Sequence, residues 1–221
     1  MIKSNRISTI CSLVDKKIIA EIGADHGYIT LNLFQNAKID FAFLTDISDN
    51  SLQKARDNFS QSNFSNNVMF LVGDGLKVFE NIQKENNCKK PEQIIIAGMG
   101  GNEIIKILQN NKYSFENFIL QPQRNVIELR HYLQENFFEI KKDIITKDGK
   151  LFYNVLKVEK VKTKKLLNNK ELLFGKTNLQ TKNPVFKDYL VYELDKLQGY
   201  SKHTKEVESK IIQIKEVLKE I

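Results

Sequence analysis

From Lys17 to Leu120, short β-branched runs alternate with longer amphipathic ones, a rhythm that few folds accept. Lys17–Ile22, Phe41–Thr45, Val68–Val72, Gln93–Ala97 and Phe118–Leu120 read as strands. The stretches near Tyr28–Gln35, Ser48–Gln61, Gly75–Gln83, Asn102–Gln109 and Asn125–Asn136 read as helices. Alternation of this kind predicts βαβ units, hence a mostly parallel sheet with helices on both faces. Ile94-Ile95-Ile96-Ala97 is apolar on both faces, as a central strand must be. An extra helix precedes the first strand. Ser4 is its N-cap, and Ile7, Ile10, Cys11 and Val14 share one face.

After the last of these helices the pattern changes. Phe137–Thr146 and Leu151–Glu159 are strand-like and flank Lys147-Asp148-Gly149-Lys150, a strong hairpin signal. Residues 157–187 form a connection with nine lysines. Beyond Pro184, Phe186, Leu190, Leu194 and Leu197 share a helix face; after Gly199, Val207, Ile211, Ile214, Leu218 and Ile221 step as a heptad seam. Two such helices predict an antiparallel hairpin. The boundary between an α/β domain (1–160) and a helical domain (161–221) falls after the second strand of the β-hairpin.

Charge divides the same way. Residues 1–140 hold 15 basic and 16 acidic side chains, whereas residues 141–221 hold 19 and 11. The basic excess therefore lies in the last third. An anionic partner is implied, with nucleic acid ranked above a membrane. The plainer alternative is lysine used as a solubilising surface residue. No apolar run approaches the roughly 18 residues of a spanning helix, and the first residues lack a signal-peptide core. Cys11 and Cys88 are too few for a disulfide scaffold or a cysteine zinc site, so no metal and a reducing cytoplasm are expected.

All five of these strands end in chemistry-bearing loops. Glu21-Ile22-Gly23-Ala24-Asp25-His26-Gly27-Tyr28 follows the first. Its glycines let a ligand approach the backbone, but GxGxxG is absent and two carboxylates would repel a diphosphate. They suit a ligand whose ammonium and sulfonium need negative neighbours. Asp25 has a second reading, as N-cap of the helix beginning near Gly27. Asp46, before Ile47, stands where nucleoside sites bond ribose hydroxyls, and Gly73-Asp74-Gly75 places an acid for an adenine amino group. Either acid could instead belong to a simple turn or cap. Ala97-Gly98-Met99-Gly100-Gly101 is a bare backbone where two ligands can meet. Gln121-Pro122-Gln123-Arg124 offers amides for a base edge and a guanidinium for phosphate.

Together AEIGADHGYI, GDGL, IIIAGMGG, ILQPQ with Arg130 following, and DGKLFYNVL resemble the TrmK family, the bacterial tRNA methyltransferases acting on N1 of adenine-22. The resemblance covers about residues 4–160, and the C-terminal hairpin resembles the family's coiled-coil domain more loosely. It implies an α/β, Rossmann-like methyltransferase sheet, mostly parallel and ending in an antiparallel hairpin, with a C-terminal helical coiled-coil hairpin. S-adenosyl-L-methionine is the implied cofactor, and tRNA the implied partner of a cytoplasmic monomer.

Asp25, His26 and Gln123 are the implied catalytic residues. Cofactor contacts fall to Glu21, Gly23, Asp25, His26, Tyr28, Asp46, Ile47, Gly73, Asp74, Gly75, Ala97, Gly98, Met99 and Gly100. Substrate contacts fall to Arg6, Tyr28, Gln121, Gln123, Arg124, Lys162, Lys164 and Lys165. Family members usually carry Asn at position 123, Ala at 27, Pro at 30 and Glu at 154, where this chain has Gln123, Gly27, Thr30 and Asn154. Removal of everything after Lys160 is expected to spare cofactor binding and weaken tRNA binding. The alternatives are a same-fold methyltransferase acting on another RNA position, a protein or a small molecule, a non-catalytic RNA-binding module, and an NAD enzyme.

Overall fold

The computed structural model describes residues 4–80, 82, 89–112, 114–200 and 204–221. Its strands are β1 (Ile18–Ile22), β2 (Phe41–Asp46), β3 (Val68–Val72), β4 (Gln93–Met99), β5 (Asn117–Pro122), β6 (Phe138–Asp148) and β7 (Leu151–Lys160). The helices of the α/β region are α1 (Asn5–Leu13), α2 (Tyr28–Gln35), α3 (Asp49–Ser60), α4 (Gly101–Gln109) and α5 (Val126–Glu135). Then come α6 (Asn169–Phe174), α7 (Lys176–Thr181), α8 (Pro184–Gln198) and α9 (Lys205–Glu220). The expected helix over Gly75–Gln83 begins as a 3₁₀ segment, Gly75–Phe79, and residues 81 and 83 lie outside the described residues. Cys88 and His203 lie outside them too.

The strands form one sheet in the order β3-β2-β1-β4-β5-β7-β6. β1 to β5 pair in parallel, and β7 runs antiparallel to both β5 and β6. Side chains alternate between two cores. Ile95 and Ile119 face the helices that carry Ile10, Leu33 and Phe59. Ile94, Ile96, Phe118 and Leu120 face Phe79, Ile104, Leu129 and Leu133. Burial on both faces is why these strands read as unbroken apolar runs.

The terminal hairpin is longer than its neighbours. β7 pairs with β5 over Leu156–Glu159 but stays paired with β6 as far as Leu151, so the tip projects beyond the carboxyl ends of the parallel strands. The turn is tighter than the four-residue link suggested: Asp148 pairs with Leu151, with Gly149 at a left-handed φ of 60° between them. The tip holds the start of the chain. Ser4 donates its hydroxyl to Asp148 at 2.6 Å, and Asn5 donates to the Lys147 carbonyl at 2.9 Å. That anchor sets α1 across the carboxyl edge.

β6 is one of the two edge strands, and side chains cover its edge. The Asp143 N–H donates to Thr177 Oγ1 (2.9 Å), and the Ile145 N–H donates to Asn178 Oδ1 (3.1 Å). Alternate strand residues point their N–H groups outward, so the two-residue step from 143 to 145 matches two neighbouring residues of α7. A buried arginine clasps the same region. Arg130, 1% exposed, makes a bidentate bond to Asp143 (2.7 and 3.1 Å). It also donates to the carbonyls of Leu172 and Leu173 and to Asn154 Oδ1.

α8 and α9 run antiparallel, because Lys187 meets the Ile221 carbonyl while Lys210 meets Glu193. Phe186, Leu190 and Leu197 are buried as expected. On α9 the buried residues are Ile211, Ile214 and Val217, with Val207, Leu218 and Ile221 at the margin. The apolar face is wider than the heptad seam. It serves not only α8 but also a core shared with Ile145 and Phe174. A chain cut after Lys160 would therefore lose the cover of β6 and the Leu172 and Leu173 carbonyls that Arg130 bonds. Point substitutions test the helices without that loss.

Candidate active site

β1 and β4 are adjacent, and the chain leaves them in opposite directions, β1 toward β2 and β4 toward β5. Their carboxyl ends therefore bound the crevice where open α/β sheets bind ligands. A cavity of about 300 Å³ lies there. Arg6, Glu21, Gly23, Asp25, His26, Tyr28, Ala97, Gly98 and Gln123 all line it. Asp46 and Ile47 lie outside that lining, at the end of neighbouring β2, and Gly73, Asp74 and Gly75 follow at the end of β3. Met99 ends β4, and Gly100 caps α4.

The β1 loop is held open from outside. Gly23 and Ala24 donate their N–H groups to the Thr45 carbonyl (2.8 and 3.0 Å). Gly23 sits at φ 71°, and a Cβ there would collide with Met99 Cε. α2 is capped by Gly27 without a side-chain bond, so the capping role considered for Asp25 is absent. Asp25 instead takes a left-handed φ of 43° and turns to α3, where Lys54 donates to its Oδ1 at 2.9 Å. Its Oδ2 stands 3.6 Å from His26 Nε2, too long for a good hydrogen bond. The His26 ring stacks on Tyr28 with centroids 5.0 Å apart and planes within 2°. Asn58 donates to the His26 carbonyl (3.0 Å), so α3 secures both members of the Asp-His pair.

Glu21 is the buried acid of the site. Thr30 gives it a hydroxyl at 2.6 Å and a backbone N–H at 3.2 Å, a donor that proline could not supply. Burial pushes its carboxyl up to about 7 against those two bonds and the charge of Arg6. The native state therefore prefers the neutral acid. The stability this contributes is full below the ordinary value near 4.5 and is lost as pH rises through about 7. We expect Glu21→Gln to remove that loss. By thermal unfolding the variant should gain on the parent protein by on the order of 3 kcal/mol at pH 8 and little at pH 5. An identical difference at both pH values would contradict it. The Cys11 thiol is raised to about 12 by burial and stays protonated.

On the opposite wall Gln121 takes a different part from the one its sequence position suggests. It is fully buried, and its Oε1 accepts from Arg6 (2.8 Å) and the Gly98 N–H (3.2 Å), while its amide donates to the Pro122 carbonyl. It cannot read a base edge; it holds the Gly98 loop and Arg6 in place. Gln123 is exposed into the cavity, and its N–H donates to the Met99 carbonyl. Arg124 is exposed and lies 3.5 Å from Glu103. Glu103 reaches back to the Gly100 N–H at 2.5 Å. A Cβ on Gly101 would strike the backbone carbonyls of Arg124 and Asn125, so only glycine lets α4 start there.

Lys162, Lys164 and Lys165 fall at the end of the sheet opposite the crevice, outside the reaction cavity. β7 runs antiparallel to β5 and pairs Glu159 with Asn117, which delivers the following residues to the amino-terminal edge. Lys164 pairs there with Glu135 at 2.7 Å. Lys54, Asn58 and Glu103 support the site and carried no motif, while Thr30 and Tyr153, whose ring lies 5.7 Å from the Arg6 guanidinium, were named in the resemblance without a role. Lys54 and Asn58 stand four apart on α3, a spacing that puts both on one helix face.

The lining suits a methionine-bearing sulfonium nucleoside. The cavity has two acids on one wall, and a Cβ on Gly98 would project between Gln123 and Arg6. Asp46 uses Oδ1 for the Ser48 N–H. Exposed Ile47 beside it presents apolar surface. These carboxyl acceptors and the apolar surface fit the cationic ligand. Among the described residues no group of three or more His, Cys, Asp or Glu is placed to hold a metal, and no helix is long and apolar enough to cross a membrane.

Comparison with known proteins agrees with this geometry. The chain is 33% identical over 189 residues to MG248 of Mycoplasma genitalium, provisionally named a tRNA methyltransferase, covering 83% of each chain. It is 30% identical over 161 residues to the tRNA (adenine(22)-N(1))-methyltransferase of Bacillus subtilis, covering 71% of this chain and 64% of that one. Streptococcus pneumoniae Sp1610, provisionally named a tRNA (m1A22) methyltransferase, has been solved in complex with S-adenosyl-L-methionine. It matches at 29% identity with a TM-score of 0.87 over 99% of this chain and 100% of that one. The sheet is therefore the Rossmann-like methyltransferase sheet. The family model for TrmK, tRNA (adenine(22)-N(1))-methyltransferase, matches residues 19–221, and the chain belongs to that family.

Proposed function

We propose that this chain methylates N1 of adenine-22 in tRNA from S-adenosyl-L-methionine, with the β1–β4 crevice as the reaction site. The observation that carries the reading is the acid-walled cavity at the topological switch of a chain in this family. When bound, the cofactor supplies an electrophilic methyl group on a sulfonium. Adenine N1 has a free lone pair at neutral pH, so the protein needs no strong base. Its work is alignment and charge. Glu21 and the bare backbone at Gly23 and Gly98 shape the donor side, and Asp46 and Asp74 take the nucleoside end. Gln123 borders the cavity where the base must enter. The product base is a cation, and Asp25 Oδ2, with no close donor beside it, stabilises positive charge as it develops there. The His26–Tyr28 stack presents a flat apolar wall to a base drawn out of its helix.

The basic last third binds the tRNA mainly through phosphate, with residues 1–160 as the catalytic domain and 161–221 as the RNA-binding one. The enzyme works as a monomer in the cytoplasm. The test is methylation of unmodified tRNA transcripts with labelled cofactor. Transcripts with adenine-22 should become labelled, and transcripts with another base at 22 should not. Equal labelling of both would reject the assigned position.

A further inference from the structure

A second cleft opens beside the reaction cavity. We infer that it holds a nucleotide flanking the target adenine, its base stacked on Tyr192 and its phosphate at Arg124 and Lys196. The inference rests on the tRNA methylation reading and extends it to a specific grip. The cleft measures about 430 Å³ and lies between the loop after β5, the tip of the β6–β7 hairpin and the C-terminal helices. Gln123 lines both this cleft and the reaction cavity, so the two adjoin at that side chain. A strand whose target base enters one must pass its neighbour over the other.

The lining has the chemistry of a single-stranded nucleic-acid site, an aromatic platform within a cationic rim. Tyr192 is 42% exposed although its ring packs against Phe152 at 5.4 Å, which leaves part of the ring open. Tyr189 supports Phe152 from beneath at 5.7 Å, so the platform is rigid. Glu193, only 14% exposed, bonds Lys210 at 2.9 Å and lies 3.9 Å from Lys196. The one acid of α8 in the cleft is thus engaged by the lysines and fixes them at the rim. Arg124 faces them from the other wall with its side chain 73% exposed. Glu128, the remaining acid, accepts from Asn125 at 3.3 Å.

The experiment compares the full-length protein with Tyr192→Ala, Tyr192→Phe and Lys196→Glu on the same tRNA transcript. Tyr192→Ala should raise the KM for tRNA about tenfold, with kcat and cofactor affinity unchanged, and Tyr192→Phe should restore it. Lys196→Glu should also raise KM and flatten its salt dependence. Transcripts made abasic at either nucleotide next to position 22 identify the partner. At one of them the abasic loss and the Tyr192→Ala loss should not add. Wild-type KM in Tyr192→Ala, full additivity at both flanking nucleotides, or a parallel loss of cofactor binding would each overturn the inference. A parent protein that labels no tRNA would instead overturn the methylation reading beneath it.

Discussion

Asp25→Asn should lower kcat for tRNA methylation about a hundredfold while changing cofactor affinity only a few-fold. The substitution keeps the size of the side chain and an oxygen for Lys54, which bonds Oδ1 at 2.9 Å. What it removes is charge on Oδ2. That oxygen lines the cavity with His26 Nε2 as its neighbour at 3.6 Å. A cationic cofactor already carries its charge in the ground state, so a carboxylate that merely binds it would lose cofactor affinity and kcat/KM together. A carboxylate that follows charge from sulfur to the base acts more strongly in the transition state. Steady-state kinetics with saturating cofactor, set beside calorimetric cofactor binding, separates the two. Equal losses in both would reduce Asp25 to a binding contact.

Arg130→Ala should destabilise the protein by about 3–5 kcal/mol, read as a fall in Tm of roughly 10 °C. Arg130 and Asp143 are each 1% exposed. Removing the guanidinium leaves a buried carboxylate without its charge partner and frees the carbonyls of Leu172 and Leu173 and the amide oxygen of Asn154. Lysine is no substitute, because one ammonium cannot make the bidentate bond and reach the α6 carbonyls as well. Arg130→Lys should therefore recover only part of the loss. A fall of less than 2 °C in a thermal melt would mean that the clasp adds little.

The sheet and the catalytic edge were legible because their signals are local. Ile94-Ile95-Ile96 declares a two-faced strand, and an acid or glycine follows each of the first four strands at its carboxyl end. Asp-Gly marked the hairpin. What could not be read depends on pairing direction and on contacts across the sequence. The distance of Lys162, Lys164 and Lys165 from the crevice shows only once β7 is seen to run antiparallel and to carry them to the far edge. Gln121 looks like a base reader, but the inward face of β5 buries it beneath Arg6 and Gly98. Arg130 stood in the family resemblance with no role, since its partners lie 13, 24, 42 and 43 residues away. Val217 fell outside the heptad because α9 packs on the sheet domain as well as on α8.

The Thr177 and Asn178 side chains that close the last strand have a consequence for synthesis. During translation β6 leaves the ribosome some thirty residues before them, so the growing polypeptide carries a bare strand margin until α7 emerges. A ribosome stalled in that interval holds a sheet able to recruit a foreign strand. Emergence of α7 seals the margin, so the sheet is closed only after residues well into the last third have been made.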